Sequence, residues 1–145
     1  MSLNPTPATN SHMLHHINPS GLYDPSQNAY SPISSCLGAG RLSFIAGQGG
    51  ESADGSLSAS FAEQVERALG NLECALQSIG ASYSDIAKLT VLIVDHEQTK
   101  LGIWSQAWLH RLSGRSAPAC TLIPVSRLAL DAMQIEIDAT VWKAF

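Results

Sequence analysis

The chain is short of charge. Of its 145 residues only 14% are Asp, Glu, Lys or Arg, against roughly 25% in an ordinary globular domain. Its 8 Lys and Arg are scattered and the formal charge is −4, so the basic stripe that holds a phosphate backbone is missing. Nucleic acid is therefore not expected as a partner. No apolar run approaches the ~18 residues of a membrane-spanning helix, so no membrane partner is expected either. No basic stretch followed by an apolar core opens the chain, so a secretory leader is not expected. Cys36, Cys74 and Cys120 form no CxxC pair. Their odd number, without a leader, fits reduced thiols in a cytoplasmic protein. The phosphate-loop, dinucleotide, zinc-protease and serine-hydrolase patterns GxxxxGK[ST], GxGxxG, HExxH and GxSxG are all absent.

What is present is apolar: 45% of the residues. A chain of this length buries about two-thirds of its unfolded surface, enough for one core without a staple. So little charge on a small domain leaves apolar surface, and subunit association is expected.

Residues 1–16 are polar and without period, and they read as a loose arm preceding a single domain over 17–145. His12, His15 and His16 lie in that arm. No carboxylate or cysteine stands at ligand spacing to fix a geometry there, so no metal site is expected. Tyr30–Leu37 reads as a weak edge strand because of Pro32. Arg41–Ala46 is a clearer strand, ending in Gly47-Gln48-Gly49-Gly50, where the chain must turn or approach something closely.

Ser60 with Glu63 three residues later forms a capping box, and Phe61, Val65, Leu69, Leu72, Leu76 and Ile79 recur at helical spacing up to Gly80. Leu89–Val94 is apolar and β-branched, which predicts a central strand covered on both faces. Asp95 is expected to cap a second helix with the stripe Leu101, Trp104, Trp108 and Leu112, ended by Ser113-Gly114. Cys120–Val125 reads as a strand with Pro124 marking an edge or bulge. From Gln134 to Trp142, Ile135, Ile137, Ala139 and Val141 alternate with Glu136, Asp138 and Thr140. The order β-β-α-β-α-β-β predicts an α/β (α+β) fold with one mixed sheet and two helices on one face.

Glu136 is the most informative residue. On an ordinary strand its face is solvated. On a face that lines a subunit interface it becomes a partly buried carboxylate able to bind a cation or move a proton. Cys120 reads first as packing, and a catalytic thiol there would need a cation or histidine beside it.

Together these residues resemble the YjgF/Rid family, also labelled RidA-like or endoribonuclease L-PSP, from about Pro25 to Val141. Tyr30-Ser31 resembles the family's Gly-Pro-Tyr-Ser-Gln element, and Phe44–Gln48 its Phe-x-Ser-Gly-Gln strand end. Gln64–Leu76, with Asn71-Leu72 inside, resembles its Gln-x-x-x-x-Leu-x-Asn-Leu helix. Ile86–Val91, Val125–Leu128 and Ile135–Ala139 resemble its later strands. Each motif alone is weak; six in the right order are specific.

The resemblance implies a chorismate-mutase-like fold and a homotrimer, a trimeric barrel with the sheets inside and ligand clefts between neighbouring subunits. It implies hydrolysis of reactive 2-imino acids to 2-keto acids and ammonia, without metal or cofactor. Glu136 then matches a water-positioning glutamate, while Tyr30, Gly47 and Gln48 match pocket-shaping elements. The family's carboxylate-gripping arginine follows Pro-Ala, and here Pro118-Ala119 is followed by Cys120. Arg115-Ser116 lies five residues too early to replace it, and the asparagine of the second helix is not evident in 96–108. The chain thus resembles a branch without the arginine.

Two principal readings stay open. One is a cofactor-free hydrolase of a small imine, enamine or carbonyl compound. Glu136 orients water there, and backbone N–H groups around Cys120, at Ala119 and Thr121, receive the developing anion. The other is a non-catalytic small-ligand binder or regulator using the same clefts. A reactive Cys120 thiol is a third possibility; ribonuclease activity fits poorly with an acidic chain.

Overall fold

The computed structural model describes residues 13–145. Its elements are β1 (Met13–Ile17), β2 (Ile33–Leu37), β3 (Gly40–Gly49), α1 (Phe61–Ser78), β4 (Ile86–Val94), α2 (Gln98–Leu112), β5 (Ala119–Val125) and β6 (Ile135–Ala144). The four-stranded sheet has the order β3-β6-β4-β5. β6 lies antiparallel to both β3 and β4, and β4 lies parallel to β5, with α2 as the crossover between them. β3 and β5 are therefore the two edges. Pro124 is tolerated in β5 because that strand is one of them.

Both helices pack on one face. Val65, Leu69, Leu72 and Leu76 of α1 meet Trp104, Trp108 and Leu112 of α2 over Leu89, Val91, Ile93, Ile135, Ile137 and Ala139. Trp104 and Trp108 stack with ring centres 6.0 Å apart, and Tyr83 meets Trp108 edge-on at 5.4 Å. Such pairs add about 1 kcal/mol each to the burial of their surface. Gln64 is fully buried and fully satisfied. Its Nε2 donates to the Ser58 and Ala132 carbonyls at 2.7 and 2.9 Å, and its Oε1 accepts from Gln134 N–H at 2.8 Å. One side chain thus ties two loops to α1.

α1 starts as the sequence predicts, with Ser60 Oγ accepting from Glu63 N–H at 3.4 Å, and ends with Gly80 at a φ of +69°. Glu63 differs in detail: its carboxylate accepts a hydrogen bond from the Ser58 hydroxyl.

Several expectations need correction. Met13–His16 belong to a strand, not to the arm; residues 1–12 of the predicted arm, His12 among them, lie outside the described residues. β1 pairs antiparallel with β2, and His16 Nδ1 lies 2.8 Å from Ser34 Oγ. The paired histidines hid the strand, because His15 and His16 break the alternation of apolar residues. As neighbours in a strand they face opposite sides, so they do not converge on one ion. The element order therefore gains a strand at its start, and this ribbon forms a second, two-stranded sheet. The strand predicted from Tyr30 begins at Ile33, and Ser31 makes an isolated bridge to Ala119.

Asp95 does not cap α2. It occupies the left-handed region at a φ of +48°, and the N-cap is Glu97, with no side-chain hydrogen bond. The Val94 carbonyl is instead taken by Lys100 Nζ at 2.7 Å. β4 is central but, among the described residues, it is not covered on both faces. Leu89, Val91 and Ile93 are buried, whereas Thr90, Leu92 and Val94 are half-covered. That second face, with Leu92, Glu136, Asp138, Thr140, Leu42 and Phe44, is open.

Candidate functional site

The open face carries Glu136. Gly49 of β3 pairs with Glu136, and a bulge between Ile45 and Gln48 shifts the register. The bulge turns Gly47 beneath the Glu136 side chain. A Cβ at Gly47 would fall on the carboxylate and lie 2.7 Å from Cγ, so a larger residue here displaces the Glu136 side chain. Gly49 is constrained in the same way, since a Cβ there would meet the Glu51 carboxylate and lie 2.6 Å from Met133 Cε. Glycines 47 and 49 thus form a floor on which two carboxylates lie. Glu51 Oε2 is shut off from solvent with no hydrogen-bond partner among the described residues.

The strand end is held from α1. Asn71 Nδ2 donates to the Gly49 and Glu51 carbonyls, both at 2.9 Å. Gln48 Nε2 donates back to the Ala46 carbonyl at 3.1 Å, so this side chain braces its own bulge. The sequence pointed to Gly47, Gln48 and Glu136. Asn71 was visible only as part of a helix motif, and Glu51 carried no signal beyond its place after the glycines.

Cys120 lies elsewhere. It pairs with Leu89, which faces the helices, and lines a cavity of about 310 Å³ with Asn28, Tyr30, Leu101, Trp104 and Thr121. Tyr30, Cys120 and Thr121 are thereby brought together and Gly47 with Glu136 forms a separate group, while Gln48, opposite the buried Ile137, turns toward α1 and lines a hollow with Asn71 and Cys74. Burial pushes the Cys120 thiol up to about 12; the nearby Lys88 charge opposes this and Asp138 adds to it. At neutral pH the group is a thiol, an uncharged wall rather than a nucleophile.

The Ala119 N–H is already engaged, donating to Ser34 Oγ at 2.8 Å, so it is not a free donor for an anion. Thr121 Oγ1 accepts from Lys88 Nζ at 2.8 Å. Lys88 is the cation beside Cys120. Arg115 lines a different hollow with Tyr83, His110 and Arg111, and Arg127 pairs with Asp131 at 2.7 Å.

Comparison with known proteins fixes the lineage. The sequence model described as Endoribonuclease L-PSP matches residues 24–143. A RutC family protein of Pyrococcus abyssi is 32% identical over 120 residues, spanning 77% of this chain and 87% of that protein. The crystal structure of YyfB from Yersinia pestis, a Rid family protein of unknown function, superposes with a TM-score of 0.84 at 30% identity, covering 88% of this chain and 97% of that one. RidA from an Antarctic Psychrobacter shares the fold, with a TM-score of 0.64 at 22% identity over 78% of this chain and 87% of its own. The chain belongs to the endoribonuclease L-PSP family, that is, the YjgF/Rid family.

Proposed function

We propose that the protein is a cofactor-free hydrolase of a small imine, enamine or related carbonyl compound, with Glu136 as the group that orients water. The observation that carries this reading is the Glu136 carboxylate laid over Gly47, half-buried on an open sheet face. Among the described residues no group hydrogen-bonds this carboxylate, so its lone pairs are free for water, which is what a water-positioning base requires.

The split between the Glu136 and Cys120 groups fits a ring of copies. β3 and β5 are opposite edges of the sheet, so closing several sheets into a barrel brings β5 of one copy beside β3 of the next. Cys120 and Tyr30 of one subunit then approach Gly47 and Glu136 of its neighbour. In that cleft, water adds to the C=N carbon and yields a proton to Glu136. Glu136 returns the proton to nitrogen, and the carbinolamine releases ammonia as the carbonyl forms. Lys88 is the cation available to a ligand carboxylate, as a single point charge rather than a two-pronged guanidinium.

A second reading, ligand binding without turnover, is favoured by the neutral Cys120 thiol and the occupied Ala119 N–H, which weaken the site's hold on an anion. The deciding measurement is ammonia release from 2-iminobutanoate generated in situ. The hydrolase reading expects acceleration by the wild type and at least tenfold less by Glu136→Gln. Equal rates for the two proteins leave only the binding role.

A further inference from the structure

Outside that site, a second hollow of about 310 Å³ lies between α2 and the single helical turn Ser26–Asn28. Its walls are unusual in kind. Gln27, Asn28, Gln98 and Gln106 give four carboxamides, Leu101 gives an apolar wall, and among the described residues no charged side chain lines it. Ser105 also lines it. That residue is only 5% exposed, and its Oγ has no hydrogen-bond partner among the described residues. A helical serine usually returns its hydroxyl proton to the carbonyl one turn back. This one is buried and unsatisfied, a state that buried polar groups rarely keep without a partner.

The turn that closes the hollow is fixed from below. Ala29 is almost fully buried, sits in the left-handed region at a φ of +59°, and donates its N–H to the Ser26 carbonyl at 3.3 Å. Gln27 and Asn28 are therefore presented by a defined backbone.

We propose that this hollow is a binding site for a small uncharged molecule bearing neighbouring N–H and C=O groups, a cyclic amide or ureide. Each carboxamide offers one acceptor and a donor pair, which complements such a molecule. The Ser105 hydroxyl supplies a further contact and loses its unsatisfied state when the ligand arrives. A carboxylate or ammonium ligand finds no counter-charge here. The hollow shares Asn28 and Leu101 with the Cys120 cavity, so a ligand in one touches residues that wall the other. The inference does not depend on the hydrolase reading, since neither Glu136 nor turnover enters it.

Nitrogen-15 TROSY titration of the full chain with hydantoin, nicotinamide and nicotinate tests it. Hydantoin and nicotinamide should shift the side-chain amides of Gln27, Asn28, Gln98 and Gln106, and nicotinate should not. Ser105→Ala should weaken hydantoin binding at least fivefold. Gln106→Leu, at an exposed position that leaves the fold intact, should do the same. Absence of shifts at millimolar ligand, equal binding of nicotinate, shifts confined to Tyr30 and Cys120, or unchanged affinity in Gln106→Leu would each overturn the proposal.

Discussion

Cys120 pairs across the sheet with Leu89, and Glu136 pairs with Leu92. Three residues along β4 is an odd step, so the two side chains leave opposite faces of one sheet. A single chain cannot close both on one ligand. The open face, which carries Glu136 and the exposed Phe44 and Leu42, is where a neighbour must come if the two groups are to meet.

Gly47→Ala is expected to displace the Glu136 carboxylate, because the new Cβ would take its place. Crowding of this kind costs about 1–3 kcal/mol when backbone must shift. Here the far end of a side chain moves instead, so the melting temperature should fall little. Turnover or ligand affinity should drop about tenfold. Melting curves and ammonia release measured on the same preparation separate the two effects.

Cys120 should label slowly. Its thiol is pushed up to about 12, so at pH 8 it should react far more slowly than the exposed Cys74, with a rate still climbing tenfold per pH unit where a free thiol has levelled off. The raised value also has a sign for stability. The unfolded thiol ionises before the folded one, so stability is intact below the unfolded value and is lost as pH rises toward 12. Cys120→Ser should flatten that alkaline loss in urea titrations between pH 8 and pH 10.5. A loss identical to wild type would show the thiol to be unimportant.

Much of the frame was legible from pattern alone. Alternation over 135–141 predicted β6, and the spacing of Val65, Leu69, Leu72 and Leu76 predicted α1, since both record which face meets the core. β1 was not legible because His15 and His16 carry no such record. The failed cap at Asp95 shows a local rule losing to geometry, where the chain needed a left-handed residue between β4 and α2. Glu136 and Gly47 were readable as a pair only through family motifs. That Cys120 faces the helices is a matter of register, and a lone cysteine does not announce its register. Glu51 and Ser105 are defined by what surrounds them, which spacing does not encode.

Gln64→Ala should be the costliest substitution on α1. It strips partners from the Ser58 and Ala132 carbonyls and from Gln134 N–H, and leaves a cavity. Each lost hydrogen bond to these part-buried partners is worth roughly 1 kcal/mol and the cavity left by a fully buried side chain adds to it, so a total near 4 kcal/mol is expected. Chemical denaturation should show it. Asn71→Ala removes two bonds at a half-buried position and should cost about half as much, with a larger effect on the Glu136 site because it frees the strand end.

The open face makes the last prediction. Phe44 is 75% exposed and Leu42 is 55% exposed, side by side on an edge strand. Two large apolar side chains on one edge are a liability in a monomer and an asset at an interface. If copies close into a ring across this face, Phe44→Glu places a charge against apolar neighbours and should shift light scattering from trimer mass to monomer mass. Hydrolysis should fall with it, because Glu136 would lose the β5 edge of the next subunit. Wild-type mass and activity in Phe44→Glu would place the contact elsewhere and would separate the Glu136 group from the Cys120 cavity in the working protein.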